Sequence, residues 1–129
     1  MRRMSDQPED FMDLSDQALN DVEAMMDSNV SVRALYNRLY YGLFYAAKAA
    51  LLSEGVIAKT HRGTADRVFQ VLYDEKELFE REEAILLQRL QQKRDQADYE
   101  LEVNFELEEF KSDLEDVKSF ADSARSIIS

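Results

Sequence analysis

The 129-residue chain has no cysteine and a single histidine, His61. The first absence excludes disulfides, thiolate metal sites and cysteine nucleophiles. The second excludes a two-histidine metal site within one chain. Three glycines and one proline are few for this length. An all-β fold draws heavily on both residues for its turns, so the shortage argues against a sandwich or barrel and for long helices. No apolar run approaches the roughly 20 residues that cross a bilayer. Residues 1–10 are polar and acidic, without the apolar stretch of a secretory leader. The expectation is a soluble, cytoplasmic, helical protein of one domain, residues 1–129, with a flexible N-terminus over residues 1–7.

Acid dominates what is present. Twenty-seven Asp and Glu stand against sixteen Lys and Arg, for a net charge of −11. Such a charge keeps a protein soluble and discourages non-specific contact with nucleic acid. It also fits a salt-rich host, an origin that stability rising in molar salt would mark. The charge is uneven. Residues 1–31 carry two basic and eight acidic side chains, and residues 69–129 carry eight and seventeen. Residues 32–68 reverse the sign, with Arg33, Arg38, Lys48, Lys59, Arg62 and Arg67 against Glu54 and Asp66. A phosphate-binding surface needs local positive charge whatever the total is. The competing reading is that these bases pair with the acidic flanks.

Apolar spacing predicts five helices. The first runs over 8–27, with Pro8 in its first turn and Phe11, Leu14, Ala18, Val22 and Met25 on one face. The second runs over 31–54, roughly 36 Å at 1.5 Å per residue, and stops at Gly55. Its core face is Val32, Leu35, Leu39, Leu43, Ala47, Ala50 and Leu51, while Arg38, Tyr41, Tyr45 and Lys48 form a stripe on nearly the opposite side. Two phenols on that stripe indicate that it meets something: a helix, a second subunit or a nucleic-acid backbone. The third helix is expected over 64–73 and the fourth over 78–97. The fifth carries Leu107, Phe110, Leu114, Val117, Ala121, Ala124 and Ile128, with Asn104 as its cap. Spacing of three and four is that of a bundle seam.

Three motifs stand in order on this pattern. Arg38-Leu-Tyr-Tyr41 opens the middle of the second helix, Lys59-Thr60-His61-Arg62-Gly63 follows it, and Arg94-Asp95-Gln-Ala97-Asp98-Tyr99 lies near the end of the fourth. Together they resemble the HEPN family, in the branch with R-x-Y-Y, K-T-H-x-G and R-x-x-A-D-Y motifs, over roughly residues 11–128. The resemblance implies an all-α, up-and-down bundle that forms a homodimer, and neither cofactor nor metal is expected; the lack of a long apolar run already gives the expectation of no membrane contact. Many members are metal-independent ribonucleases, often toxins, and a frequent partner is a minimal nucleotidyltransferase acting as antitoxin. Others bind nucleotides or RNA without cleaving them.

Carried over by position, Arg94 matches the motif arginine and Asp95 the polar residue, but the motif histidine falls on Tyr99. A phenol with its pKa near 10 is a poor base at neutral pH. Three readings remain open. His61 could supply the missing imidazole, with Arg94 stabilising the phosphorane and Lys59 and Arg62 holding phosphates. The site could bind nucleotide or RNA without chemistry, with Arg38, Tyr41, Lys59, Thr60, Arg62 and Asp95 as contacts. Tyr99 could accept a nucleotidyl group from a partner enzyme, although in modified relatives the tyrosine lies two positions beyond the histidine. On a continuous helix Arg94 and Asp98 share a face, about 40° apart, and Arg94 and Tyr99 do not. Their convergence needs the helix to end near Ala97 or a dimer to supply one of them. Arg94 and Asp98 could also be a plain surface ion pair, and Thr60 or His61 a plain cap for the third helix.

The expected function is thus a dimeric nucleotide- or RNA-binding HEPN protein of toxin–antitoxin type, working with a nucleotidyltransferase. The alternative is a metal-independent endoribonuclease toxin using Arg94 and His61 at a dimer cleft.

Overall fold

A computed structural model describes residues 7–99 and 106–129, without the side chains of residues 97–99. Five α-helices account for most of these residues: α1 (Pro8–Met26), α2 (Val32–Ser53), α3 (His61–Arg67), α4 (Arg81–Tyr99) and α5 (Leu107–Ile128). A π-helical segment, Val68–Glu75, continues α3. No strand occurs among the described residues.

The centre of the bundle is α2, packed against α1, α5 and α4. Ser31 caps it, its side chain accepting the backbone N–H of Ala34 at 3.1 Å. Gly55, at φ 78°, ends it in the left-handed region. There the N–H groups of Gly55 and Val56 donate to the carbonyls of Leu52 and Leu51, each at 2.9 Å, closing two of the helix's open carbonyls. The two-faced reading of α2 is corrected by its central position. Besides the expected core face, Tyr36, Tyr40, Phe44, Ala46 and Ala49 are buried, so apolar side chains cover most of its circumference. Between the arms of the stripe, Arg38 turns to α1, where it pairs with Asp21 at 2.9 Å.

The inward face of α1 is also rotated from expectation. Met12, Ser15, Ala18, Leu19 and Val22 are buried, and Phe11 and Leu14 are half-buried. The cause is the close approach of α1 and α2 at Gly42. The Ser15 hydroxyl donates to the Gly42 carbonyl at 2.6 Å, and a Cβ on Gly42 would stand 3.0 Å from Leu19 Cδ2.

Three boundaries differ. The third helix begins at His61 rather than Thr64, because Thr60 caps it: the Thr60 hydroxyl accepts from the Gly63 N–H at 2.8 Å. The fourth begins at Arg81, since the N–H groups of Leu78 and Phe79 still donate back to the Leu72 carbonyl at 2.8 and 3.0 Å. Glu83 then reaches back to the Glu80 N–H at 2.9 Å as in a capping box. For α5 the cap is Glu106, not Asn104, which lies outside the described residues. Its apolar face is as expected except for Leu107, which is 47% exposed. The expected flexible segment also lies outside the described residues, apart from Gln7, the N-cap residue of α1.

Candidate phosphate-binding site

On α2, Tyr36, Tyr40 and Phe44 follow at intervals of four and form one buried row. Tyr40 is the centre of the candidate site. Its hydroxyl shares a hydrogen bond with His61 Nδ1 at 2.8 Å. Phe44 stacks on the same imidazole, with 4.4 Å between ring centres and 18° between planes. Tyr41 meets it edge-on at 6.0 Å. The Arg94 guanidinium lies 4.9 Å from the centre of the Tyr40 ring and 5.6 Å from that of Tyr41. Arg94 and His61, 33 positions apart in sequence, are therefore held against one phenol.

Each of these placements has a local cause. Thr60 fixes the start of α3 and so the position of His61. Gly63 is required by the same cap, because a Cβ there would stand 2.7 Å from Thr60 Oγ1. It is needed for this close approach and not for a special backbone angle, since Gly55 is the glycine with positive φ.

The residue before Arg94 anchors α4 to α5. Lys93 pairs with Asp113 and Glu109 of α5, both at 2.6 Å. Asp113 is buried and also accepts the Tyr36 hydroxyl at 2.6 Å. Arg89 adds a 3.2 Å contact to the other Asp113 oxygen and a 3.0 Å pair with Asp116. A buried carboxylate is tolerable only when its lone pairs are met, and here three donors from α2 and α4 converge on one residue of α5. This network joins the three helices beside the site.

The electrostatics of the cluster favour a neutral imidazole. Burial holds the His61 pKa below its ordinary value, and the Arg94 and Lys48 cations push in the same direction, while Asp95 opposes them. Burial likewise raises the Tyr40 phenol above its usual range, against the pull of Arg94, so it stays protonated. The protonated phenol either donates to Nδ1, which puts the hydrogen of neutral His61 on Nε2, or accepts from Nδ1–H. With the phenol as donor, the site presents the Nε2–H of His61 beside the Arg94 guanidinium and the Lys48 ammonium, three groups that suit a phosphate.

The remaining expected residues divide. Arg62 and Asp95 line a groove between α3 and α4 together with Asp66, Gln88 and Gln91. Lys59 is exposed in the loop before the Thr60 cap. Arg38 is taken up by Asp21 and lies about 200° round α2 from Tyr40. The side chains of Asp98 and Tyr99 lie outside the described residues. The backbone settles one condition, since α4 continues to Tyr99. The helix does not end near Ala97, so positions 94 and 99 of one chain stay about 140° apart around it. Two residues of the cluster, Tyr40 and Phe44, are not among the expected contacts. Their signal in the sequence is the interval of four from Tyr36 to Phe44, ahead of the loop that carries His61.

The basic middle third does not simply neutralise the acidic flanks. Arg38 does so, but among the described residues Lys48, Lys59 and Arg62 have no carboxylate partner. No group of three or more His, Asp or Glu side chains that could hold a metal occurs among the described residues. No described helix is long and apolar enough to cross a membrane.

The model of the HEPN domain family matches residues 9–129 of the chain. The protein belongs to the HEPN family, and its helical bundle is the fold of that family. A comparison with curated proteins finds no match.

Proposed function

We propose that this protein is a dimeric nucleotide- or RNA-binding HEPN module of toxin–antitoxin type, acting in the cytoplasm with a minimal nucleotidyltransferase partner. The observation that carries the reading is the approach of both His61 and Arg94 to Tyr40. A guanidinium, a neutral imidazole N–H and Lys48 make a cation-rich cleft in a chain of net charge −11. Local charge of this sign is what a phosphodiester selects. The dimer and the partner rest on membership of the family. A mass of 15 kDa by light scattering across the micromolar range would remove the dimer from the proposal.

A second reading, a metal-independent endoribonuclease, is favoured by the Tyr40–His61 hydrogen bond. In that reaction the 2′-oxygen of RNA attacks phosphorus, its proton passing to solvent. The bond from phosphorus to the 5′-oxygen breaks, and that oxygen takes a proton from solvent, while the N–H of neutral His61 donates a hydrogen bond to a phosphorane oxygen and stays on the ring. Arg94 stabilises the charge gathered on the phosphorane.

One experiment separates the readings. The protein and its Arg94→Ala and His61→Ala variants are incubated with single-stranded and structured RNA in the presence of chelator. Retention of RNA that depends on Arg94, without cleavage, supports the binding module. Cleavage lost in both variants supports the ribonuclease. RNA neither bound nor cut excludes both.

A further inference from the structure

A concavity lies near the Tyr40–His61–Arg94 cluster. It has a volume of about 270 Å³ and is walled by Phe11 of α1, Leu52 near the end of α2, and Val56, Ile57 and Ala58 of the following loop, with Lys48 beside them. Lys48 is the one charged side chain in this lining. Its ammonium lies 5.2 Å from the centre of the Phe11 ring and 5.5 Å from that of Phe44. Phe44 in turn stacks on His61. Lys48 thus links the pocket, which it lines, to Phe44, which stacks on His61.

The loop repeats the same order along the chain. Val56, Ile57 and Ala58 are apolar, Lys59 is cationic, and His61 follows two residues later. Ile57 is 72% exposed, the most exposed of the large apolar side chains in the described residues. It stands at the pocket, where a ligand would cover it. A volume near the lower end of the range for small-molecule sites suits a single ring system. An apolar, aromatic-walled hollow with a cation at its edge matches a group that is flat and apolar at one end and anionic at the other.

We propose that this pocket is a nucleobase subsite, which receives the base of a nucleotide whose phosphate lies between Lys48 and His61. The assignment rests on the reading of the cleft as a nucleotide or RNA site. In this arrangement the Phe11 ring and the Val56–Ala58 wall contact the base, and Lys48 bridges base pocket and phosphate. Apolar and aromatic contact of this kind tolerates every base, because each has an apolar face. The subsite therefore contributes affinity and register along the strand more than sequence choice.

The test compares a short single-stranded RNA with an abasic ribose-phosphate strand of the same length, by fluorescence anisotropy on the full chain. The variants are Phe11→Leu, which keeps an apolar side chain, and Ile57→Asp, which changes an exposed loop position and spares the core. Expected are tighter binding of RNA than of the abasic strand by the unmodified protein, and a loss of RNA affinity of roughly tenfold in each variant. Affinity for the abasic strand stays the same in Phe11→Leu; in Ile57→Asp the added carboxylate lies near the phosphate and lowers it, but by less than it lowers RNA affinity. RNA binding that depends on Arg94 but is unchanged in both pocket variants overturns the subsite and leaves the cleft standing. Equal affinity of the unmodified protein for the two strands also overturns the subsite. Failure to bind either strand overturns the cleft and the subsite together. A lower mass by light scattering in Ile57→Asp, with RNA affinity unchanged, reassigns the pocket to a contact between protein chains.

Discussion

Lys93 and Arg94 are adjacent in the chain, and each lies over the ring of a different tyrosine of α2. The Lys93 ammonium is 5.6 Å from the centre of the Tyr36 ring, and the Arg94 guanidinium is 4.9 Å from that of Tyr40. The two tyrosines are one helical turn apart. The Asp113 network thus holds the residue next to Arg94. Asp113→Ala would leave the Lys93 ammonium and the Tyr36 hydroxyl without their common acceptor. Removing one partner of a buried pair costs about 3–5 kcal/mol. Asp113→Asn, which keeps the shape and one acceptor oxygen, is expected to cost less. Urea denaturation gives both values. If the network positions Arg94, RNA affinity should also fall in both variants, and further in Asp113→Ala than in Asp113→Asn.

The Tyr40–His61 hydrogen bond is tested by Tyr40→Phe. The ring remains beneath Arg94, and only the hydroxyl is lost. A hydrogen bond of this kind contributes about 1 kcal/mol to stability, which denaturation will show. The imidazole also loses the partner that fixes its tautomer. Nitrogen chemical shifts of His61 should then report a mixture of Nδ1–H and Nε2–H forms in place of one.

The lowered pKa of His61 gives the fold a pH dependence of known sign. In the unfolded chain the imidazole binds a proton near pH 6.5, and in the folded chain only at lower pH. Between these values the unfolded state holds more protons, so stability falls as the pH drops through this window and is fully present above it. His61→Gln removes this contribution. The stability gap between the protein and this variant should therefore shift against the unmodified protein from pH 7.5 to pH 5, measured by chemical denaturation at each pH.

The Thr60 cap makes an uncommon prediction for a helical glycine. Alanine in place of glycine inside a helix usually stabilises by up to about 1 kcal/mol. At Gly63 the added Cβ would stand 2.7 Å from Thr60 Oγ1, so Gly63→Ala should destabilise. Thr60→Ala alone costs about 1 kcal/mol as a lost cap. In the double variant the clash is gone, so the two losses should not add. A double-mutant cycle by thermal or urea unfolding reads the coupling directly.

If the cleft takes a phosphodiester, the salt dependence of RNA binding carries its signature. Each phosphate contact removed lowers the slope of log affinity against log salt by about one. Arg94→Ala and Lys48→Ala should each do so. Arg38→Ala should not, because Arg38 is already paired with Asp21.

How much of this was legible in the chain varies by element. The existence of all five helices follows from apolar residues recurring every three or four positions, and Ser31 and Gly55 marked the ends of α2 through their own chemistry. The faces were less legible. Periodicity assigns one inward stripe to a helix, and α2 is surrounded, so Tyr36, Tyr40 and Phe44 were hidden among residues assigned to other sides. The rotation of α1 depends on how closely it approaches Gly42, which no property of α1 itself encodes. Helix starts were missed where side chains reach across a turn, as Thr60 does to Gly63 and Glu83 does to Glu80.

The sequence by itself determined the class of the protein, because helical periodicity, few turn residues and three ordered motifs are local properties. It also placed positive charge in the middle third of an acidic chain. Only the tertiary structure decided which of those charges stay available, since ion pairing depends on which acid a helix lies beside: Arg38 met Asp21, and Lys48 met two aromatic rings. It decided likewise that His61 and Arg94 share the phenol of Tyr40. Their 33-residue separation carries no distance information, and the packing of α3 and α4 onto α2 brings them together.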